Sequence, residues 1–250
     1  METVERVMCS GACADTSQFS FVMAFQPVVD IETRTIYSYE ALVRGPNGEG
    51  AAHVLAGITE NNRYAFDQAC RVRAIATAAR LGLQKRLNIN FLPNAVYHPE
   101  ACLKLTLAAA EKHRFPPNLI TFEFTEDEQV IDRDHLKAII QTYRKHNFMT
   151  ALDDFGAGFA GLALLADFHP DCIKIDRCLV SGIESNLARQ AIVAGIIRTA
   201  SMMGIFVVAE GVERPQEVDF LRAQGVRLFQ GFLFARPAIE KLIPPEDIHW

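Results

Sequence analysis

Two adjacent aspartates, Asp153 and Asp154, stand between an apolar run and a glycine-rich loop in MTALDDFGAGFAGL, Met149 to Leu162. As the end of a buried strand, the pair brings two carboxylates together and strips them of water, so they need a cation or a shared proton. A lone acidic pair also fits a solvated turn. The same pattern recurs at other strand ends: Glu40 in YEALVRG, Asn90 in NINFLP, Glu123 in TFEFTE, Lys174 in IKID, Glu210 in VVAEGVE and Gln230 in LFQGF. Each polar residue interrupts or directly follows the apolar run, whereas a helix cap normally follows a strand by several residues.

Glu40, Glu123, Asp153, Asp154 and Glu210, with the amide of Asn90, are hard oxygen donors unaccompanied by Cys or His, which suits Mg²⁺ or Mn²⁺ better than zinc. Two ions about 3.5–4 Å apart need a bridging carboxylate, and such a pair activates water and clamps both oxygens of an in-line phosphoryl displacement. Lys174 among the acids could orient the attacking water or screen phosphate charge. Glycosidase chemistry is the rival use of paired carboxylates. It does not call for so many acids or for Asn90, and the only tryptophan is Trp250.

The elements that must position these residues alternate. Phe19 to Val29 and Ile36 to Leu42 are rich in β-formers and flank the short polar DIETRT, which predicts a hairpin. Ala51 to Thr59 and Tyr64 to Leu81 read as helices, the second closed by Gly82. Strands then precede helices in turn: Leu87–Phe91 before a helix through Ala101–Lys112, Leu119–Phe124 before Leu136–His146, and Met149–Leu152 before a short helix near Gly161–Ala166. Cys172–Ile175 precedes a helix over Leu187–Met203, which Gly204 ends. Ile205–Ala209 precedes a helix after Pro215, a residue tolerated in a first turn, and Val226–Phe229 is the last strand. Strands apolar on both faces, alternating with helices, predict a buried parallel sheet. At 250 residues a closed (β/α) barrel is the natural architecture, with functional residues at the strands' C-terminal ends. A doubly wound open sheet is the alternative.

Half of the residues are hydrophobic and the net charge is −5, which describes a globular chain without the basic stripe of a nucleic-acid binder. Residues 1–18 have neither a basic start nor a long apolar core and read as a flexible tail rather than a secretory signal. The domain is expected over residues 19–250. The six cysteines are scattered, which predicts a reducing, cytoplasmic setting. Cys9 and Cys13 lack the further ligands a metal knuckle requires.

In this order, EALVRG, Asn90, FEFTE, DDFGAGF, KID, EGVE and QGFLFARP resemble the EAL domain of cyclic di-GMP phosphodiesterases, from about Phe21 to Ile239. The resemblance implies a TIM-like (β/α)8 barrel with an antiparallel first strand. It also implies hydrolysis of cyclic di-GMP to linear pGpG with two ions of Mg²⁺ or Mn²⁺, inhibition by Ca²⁺, and a homodimer through the barrel rim near the Asp153–Leu162 loop. Carried over by motif, Glu40, Asn90, Glu123 and Asp153 would hold the first metal. Asp153, Asp154 and Glu210 would hold the second, with Asp153 bridging. Lys174 resembles the lysine that positions the hydrolytic water, and Glu210 also matches a residue cast as the base. Glu213 and Gln230 would hold Lys174 and bound water, and Glu126 would anchor the DDFGAGF loop. Gln26, Arg44, Asp176 and Pro237, with Gln230, match positions that touch guanine or phosphate. The chain departs from the family at Gly45, where an aromatic is usual, and at Ala157, Phe159, Ala160 and Gly161. The smaller side chains imply a looser loop and low or regulated activity. A degenerate module that binds cyclic di-GMP or a protein without hydrolysis is the competing reading. No GGDEF-like, receiver or light-sensing segment is apparent, so any regulatory input is expected from a partner, from a longer natural chain, or from none.

Overall fold

The computed structural model describes residues 18–96, 98–125, 133–158 and 161–250. Residues 1–17 of the tail expected at the N-terminus, with Cys9 and Cys13, and the loop residues Glu126, Phe159 and Ala160 fall outside the described residues.

The chain opens with two strands, β1 (Val22–Asp30) and β2 (Thr35–Arg44), and two helices, α1 (Ala51–Leu55) and α2 (Arg63–Arg80). There follow β3 (Arg86–Asn90), α3 (Pro99–His113), β4 (Ile120–Thr125), α4 (Arg133–Lys145), β5 (Met149–Phe155) and α5 (Gly161–Phe168). The remainder is β6 (Cys172–Ile175), α6 (Arg177–Val180), α7 (Leu187–Met203), β7 (Phe206–Ala209), α8 (Pro215–Ala223), β8 (Leu228–Phe229) and β9 (Ala238–Ile239). β2 to β8 lie side by side in sequence order and parallel. β1 closes the ring by pairing antiparallel with both β2 and β8. The closed barrel with an antiparallel first strand therefore forms, and the open sheet does not. β8 reaches only Val29 and Asp30 of β1, and β9 pairs with Ala24 and Phe25 farther along the same edge.

Local chemistry accounts for the boundaries. In the hairpin turn, the Asp30 carboxylate accepts the N–H groups of Glu32 and Thr33 at 3.0 and 3.3 Å, a side-chain turn typical of aspartate. α1 stops at Leu55, short of the expected Thr59. Asn62 accepts the Thr59 N–H at 2.7 Å and donates to the Gly57 carbonyl at 3.1 Å, which takes the backbone groups a longer helix would use. β8 starts two residues later than expected because the Val226 N–H bonds back to the Leu221 carbonyl at the end of α8. The single turn α6 was not anticipated. It is too short for an apolar period and is nucleated by Asp176, which accepts the Cys178 N–H at 2.8 Å.

The main core lies between the outer face of the barrel and the helices, with Phe25, Leu87, Ile89, Phe122, Phe124, Leu152 and Ile173 fully or almost fully buried. A second, small apolar cluster of Val28, Ala151, Cys172, Val208 and Leu228 fills the barrel interior. Side chains two apart along a strand share a face. Ala151, Cys172, Val208 and Leu228 are therefore followed on the inside by Asp153, Lys174, Glu210 and Gln230: an apolar plug below, a polar bowl above. No described helix is long and apolar enough to cross a membrane.

Candidate active site

Lys174 stands at the centre of the bowl on β6, 1 % exposed. Its Nζ lies 2.8 Å from Glu210 Oε1, 2.9 Å from Glu123 Oε2, 3.1 Å from Asp153 Oδ1 and 3.5 Å from Glu40 Oε2. Four residues separated widely in sequence thus converge on one ammonium, delivered by β2, β4, β5 and the end of β7.

Amides hold the acids in place. Asn90 donates to Glu40 Oε1 at 2.9 Å, and Asn88, two residues earlier on the same inner face, donates to Glu123 Oε1 at 2.8 Å. Gln230 donates to Glu40 Oε2 at 2.7 Å and lies 3.3 Å from Gln26, whose own amide donates to the Ala235 carbonyl. Gln26 sits directly opposite Glu40 in the β1–β2 register. Asn88 was not singled out from sequence, although the alternation in NIN places it on the face of Asn90.

The two aspartates should face opposite sides of β5, yet both reach the bowl. A register shift between Leu152 and Phe155 in the β5–β6 ladder and a left-handed backbone at Asp154, φ +53°, re-aim the second side chain. Bulges commonly have this effect beside active sites, and aspartate tolerates the left-handed region better than most residues. The Asp154 N–H also donates to Asp153 Oδ1 at 2.9 Å.

Two sets of carboxylate oxygens result, each with its members within 4.8 Å of one another: Glu40, Glu123 and Asp153 in one, Asp153, Asp154 and Glu210 in the other. Asp153 belongs to both. Burial pushes the Glu123 carboxyl well above its ordinary range, and repulsion from Glu40 and Asp153 adds to it despite Lys174. Glu210 is raised by burial and by Asp153, and Asp154 is pushed up to about 6 by burial and by Asp153. Burial alone would discharge Lys174, but Asp153, Glu123, Glu210 and Glu40 outweigh it and hold its pKa well above the usual lysine value. One ammonium does not neutralise this many buried acids, so part of the charge is met by protons or by added cations. All-oxygen donors sharing a central carboxylate fit a pair of Mg²⁺ or Mn²⁺ ions.

A cavity of about 260 Å³ opens over the bowl, lined among others by Gln26, Glu40, Asp153, Asp154, Lys174, Asp176, Glu210, Glu213 and Gln230. Arg44 and Pro237 are half-buried outside that lining, and Arg44 donates to the Val43 carbonyl at 2.7 Å. Gln230 reaches Glu40 rather than Lys174. The Glu213 carboxylate, 52 % exposed, faces Arg177 at 3.9 Å and, among the described residues, makes no ion pair with Lys174. Arg177 and Phe232 also line the cavity; neither was singled out from sequence, since exposed rim residues carry no periodic signal.

The model of the EAL domain family matches residues 12–237. The blue light- and temperature-regulated antirepressor BluF of Escherichia coli is 33% identical over 226 residues, which are 90% of this chain and 56% of that protein. The cyclic di-GMP phosphodiesterase NbdA of Pseudomonas aeruginosa is 29% identical over 231 residues, 85% of this chain and 28% of that protein. The chain thus spans little more than half of the one and under a third of the other. Among solved structures, a standalone versatile EAL protein from Vibrio cholerae in its c-di-GMP-bound form is 49% identical with a TM-score of 0.88, covering 92% of this chain and 98% of that one. BlrP1 of Klebsiella pneumoniae, in a manganese/cyclic di-GMP complex, is 38% identical with a TM-score of 0.84, covering 88% of this chain and 56% of that one.

Proposed function

The chain belongs to the EAL domain family, and on that premise we propose that it hydrolyses cyclic di-GMP to linear pGpG as a metal-dependent phosphodiesterase. The observation that carries this reading is the pair of oxygen sets sharing Asp153 around Lys174. Glu40, Asn90, Glu123 and Asp153 would hold one Mg²⁺ or Mn²⁺, and Asp153, Asp154 and Glu210 the other. Bound there, the ions supply acidification of a water and a clamp on the phosphodiester oxygens.

The chain's own groups do the rest. Lys174 keeps its proton, so it acts as a fixed charge that aims the nucleophilic water and offsets charge developing on phosphorus. Glu210, whose side chain is 15% exposed at the cavity side, would take the proton that water gives up. The water oxygen bonds to phosphorus, the bond from phosphorus to the ribose 3′-oxygen breaks, and that oxygen takes a proton from solvent water as it leaves, balancing the one accepted by Glu210. Asn88, Asn90 and Gln230 keep the acids oriented, the supporting role expected of hydrogen-bond partners behind metal ligands. Gln26, Asp176 and Glu213 line the cavity where the nucleotide would lie, and Arg44 and Pro237 are assigned to its margins. Inhibition by Ca²⁺, a homodimer through the barrel rim and a cytoplasmic location belong to the same reading.

Incubation with cyclic di-GMP and Mg²⁺ or Mn²⁺, followed by chromatography, tests it: pGpG is the expected product. Glu40→Ala is expected to abolish turnover, and unchanged turnover in that variant would refute the ligand assignment. A second reading, binding without hydrolysis, draws on the relative that is named an antirepressor. Tight binding of cyclic di-GMP with no pGpG formed would favour it.

A further inference from the structure

Behind the bowl, on the outer face of the barrel, α2 carries a buried ion pair that the proposed chemistry does not use. Arg71 Nη2 lies 2.7 Å from Asp67 Oδ2, with the two side chains 0% and 2% exposed. Removing two charges from water is expensive, and such pairs are on average no more stabilising than apolar side chains of the same volume. Stability is therefore a weak reason for this pair, and its contacts suggest another.

Asp67 Oδ1 accepts the Leu92 N–H at 3.0 Å. β3 ends at Asn90, so Leu92 lies beyond the ladder in extended backbone, φ −103° and ψ 104°. Its neighbour Phe91 donates its N–H to the Glu123 carbonyl at 2.8 Å. The Arg71 guanidinium lies 5.0 Å from the ring centre of Phe122 and 5.3 Å from that of Phe91, and it donates to the Tyr143 hydroxyl at 2.8 Å. Phe91 follows Asn90, Phe122 precedes Glu123, and Asn90 and Glu123 are direct partners in the β3–β4 register. The ion pair thus grips the outer side of the two strand ends whose inner side presents Asn90 and Glu123.

We propose that Asp67 and Arg71 are positioning residues: by fixing the chain just past Asn90, they set how tightly Asn90 and Glu123 hold a divalent cation. This rests on the cation reading of the bowl. The decisive element is the Asp67–Leu92 hydrogen bond, with Arg71 present to neutralise the carboxylate that makes it.

Two double variants separate that bond from the buried charge. Asp67→Asn with Arg71→Met keeps an oxygen acceptor for Leu92 and no charge. Asp67→Leu with Arg71→Met removes the acceptor as well. Mn²⁺ affinity is measured by electron paramagnetic resonance on the full chain without nucleotide, with circular dichroism to verify folding. The asparagine variant is expected to bind Mn²⁺ like the wild type, and the leucine variant about tenfold more weakly, as for other partners behind metal ligands. Equal affinity in the two variants, at any level, overturns the proposal alone. A wild-type chain that binds no Mn²⁺ overturns the cation reading and this proposal with it. Should the leucine variant fail to fold, amide exchange on the native chain decides. Coupling is reciprocal, so Mg²⁺ should slow exchange at the Leu92 amide about tenfold, and an unchanged rate overturns the proposal.

Discussion

The carboxylates of Glu40, Glu123, Asp153 and Glu210 all lie within 3.5 Å of Lys174 Nζ, and the charges of the cluster do not balance. Asp154 and Glu123 sit above their ordinary pKa ranges, so cation binding must displace protons. Mn²⁺ affinity is therefore expected to rise with pH through about 6, the value of Asp154, with proton release measurable by calorimetry in two buffers; a flat profile would contradict this. In the metal-free chain the same groups act oppositely on stability. Their pKa is higher folded than unfolded, so their contribution is full below the unfolded value and is lost as pH rises through the folded one. Metal-free melting temperature should fall from about pH 4 past pH 6, the folded value of Asp154. Lys174→Ala should lower kcat by about 10²–10³-fold, the scale of losing a charge-stabilising donor, while cyclic di-GMP binding changes far less. A purely binding defect would refute its role.

At the scale of elements, the segments that follow Glu210 and Gln230 pack directly on each other. The Gly231 backbone passes so close to Val212 that a Cβ there would lie 2.0 Å from the Val212 carbonyl oxygen. Val212 exchanges backbone hydrogen bonds with Gln230 and Leu233 across the same gap. Gly231→Ala must push the loop after β7 away from the end of β8. The expected cost is about 1–3 kcal/mol of stability, as for other overpacked sites, with loss of turnover because Glu210 moves. Denaturant titration and the pGpG assay check both. The sequence displayed QGF as a motif, but not that the glycine is demanded by another segment's backbone. The bulge in β5 is a similar case. The pair Asp153–Asp154 was legible, whereas the left-handed turn that lets both face inward depends on the register with β6.

For the whole molecule, an acid bowl held within a single barrel predicts that cations stabilise the fold. A ligand that binds only the folded chain at 100 times its Kd adds about 2.7 kcal/mol, worth roughly 5–10 °C in a chain of this size. Saturating Mn²⁺ should raise Tm by that much and EDTA should reverse it; Glu123→Gln should blunt the rise. The barrel itself was readable because alternating strands and helices, with a hairpin first, leave few ways to bury a parallel sheet. The short pieces were not. α6 and β9 contain too few residues to display a period; α6 is a single turn started by its own Asp176, and β9 exists only because β1 supplies its partner.

Amino-acid order alone determined the strand–helix alternation and the placing of Glu40, Asn90, Glu123, Asp153, Lys174, Glu210 and Gln230 at strand ends, because hydrophobic period and chain direction are local properties. Closure of the barrel decided what those residues do to one another: four acids on one ammonium, one aspartate shared by two oxygen sets, and an ion pair behind the wall gripping the chain past Asn90. Distances between segments far apart in sequence arise only when the ring shuts, and through them burial raises the basicity of Glu123 and Glu210 while the acids keep Lys174 charged.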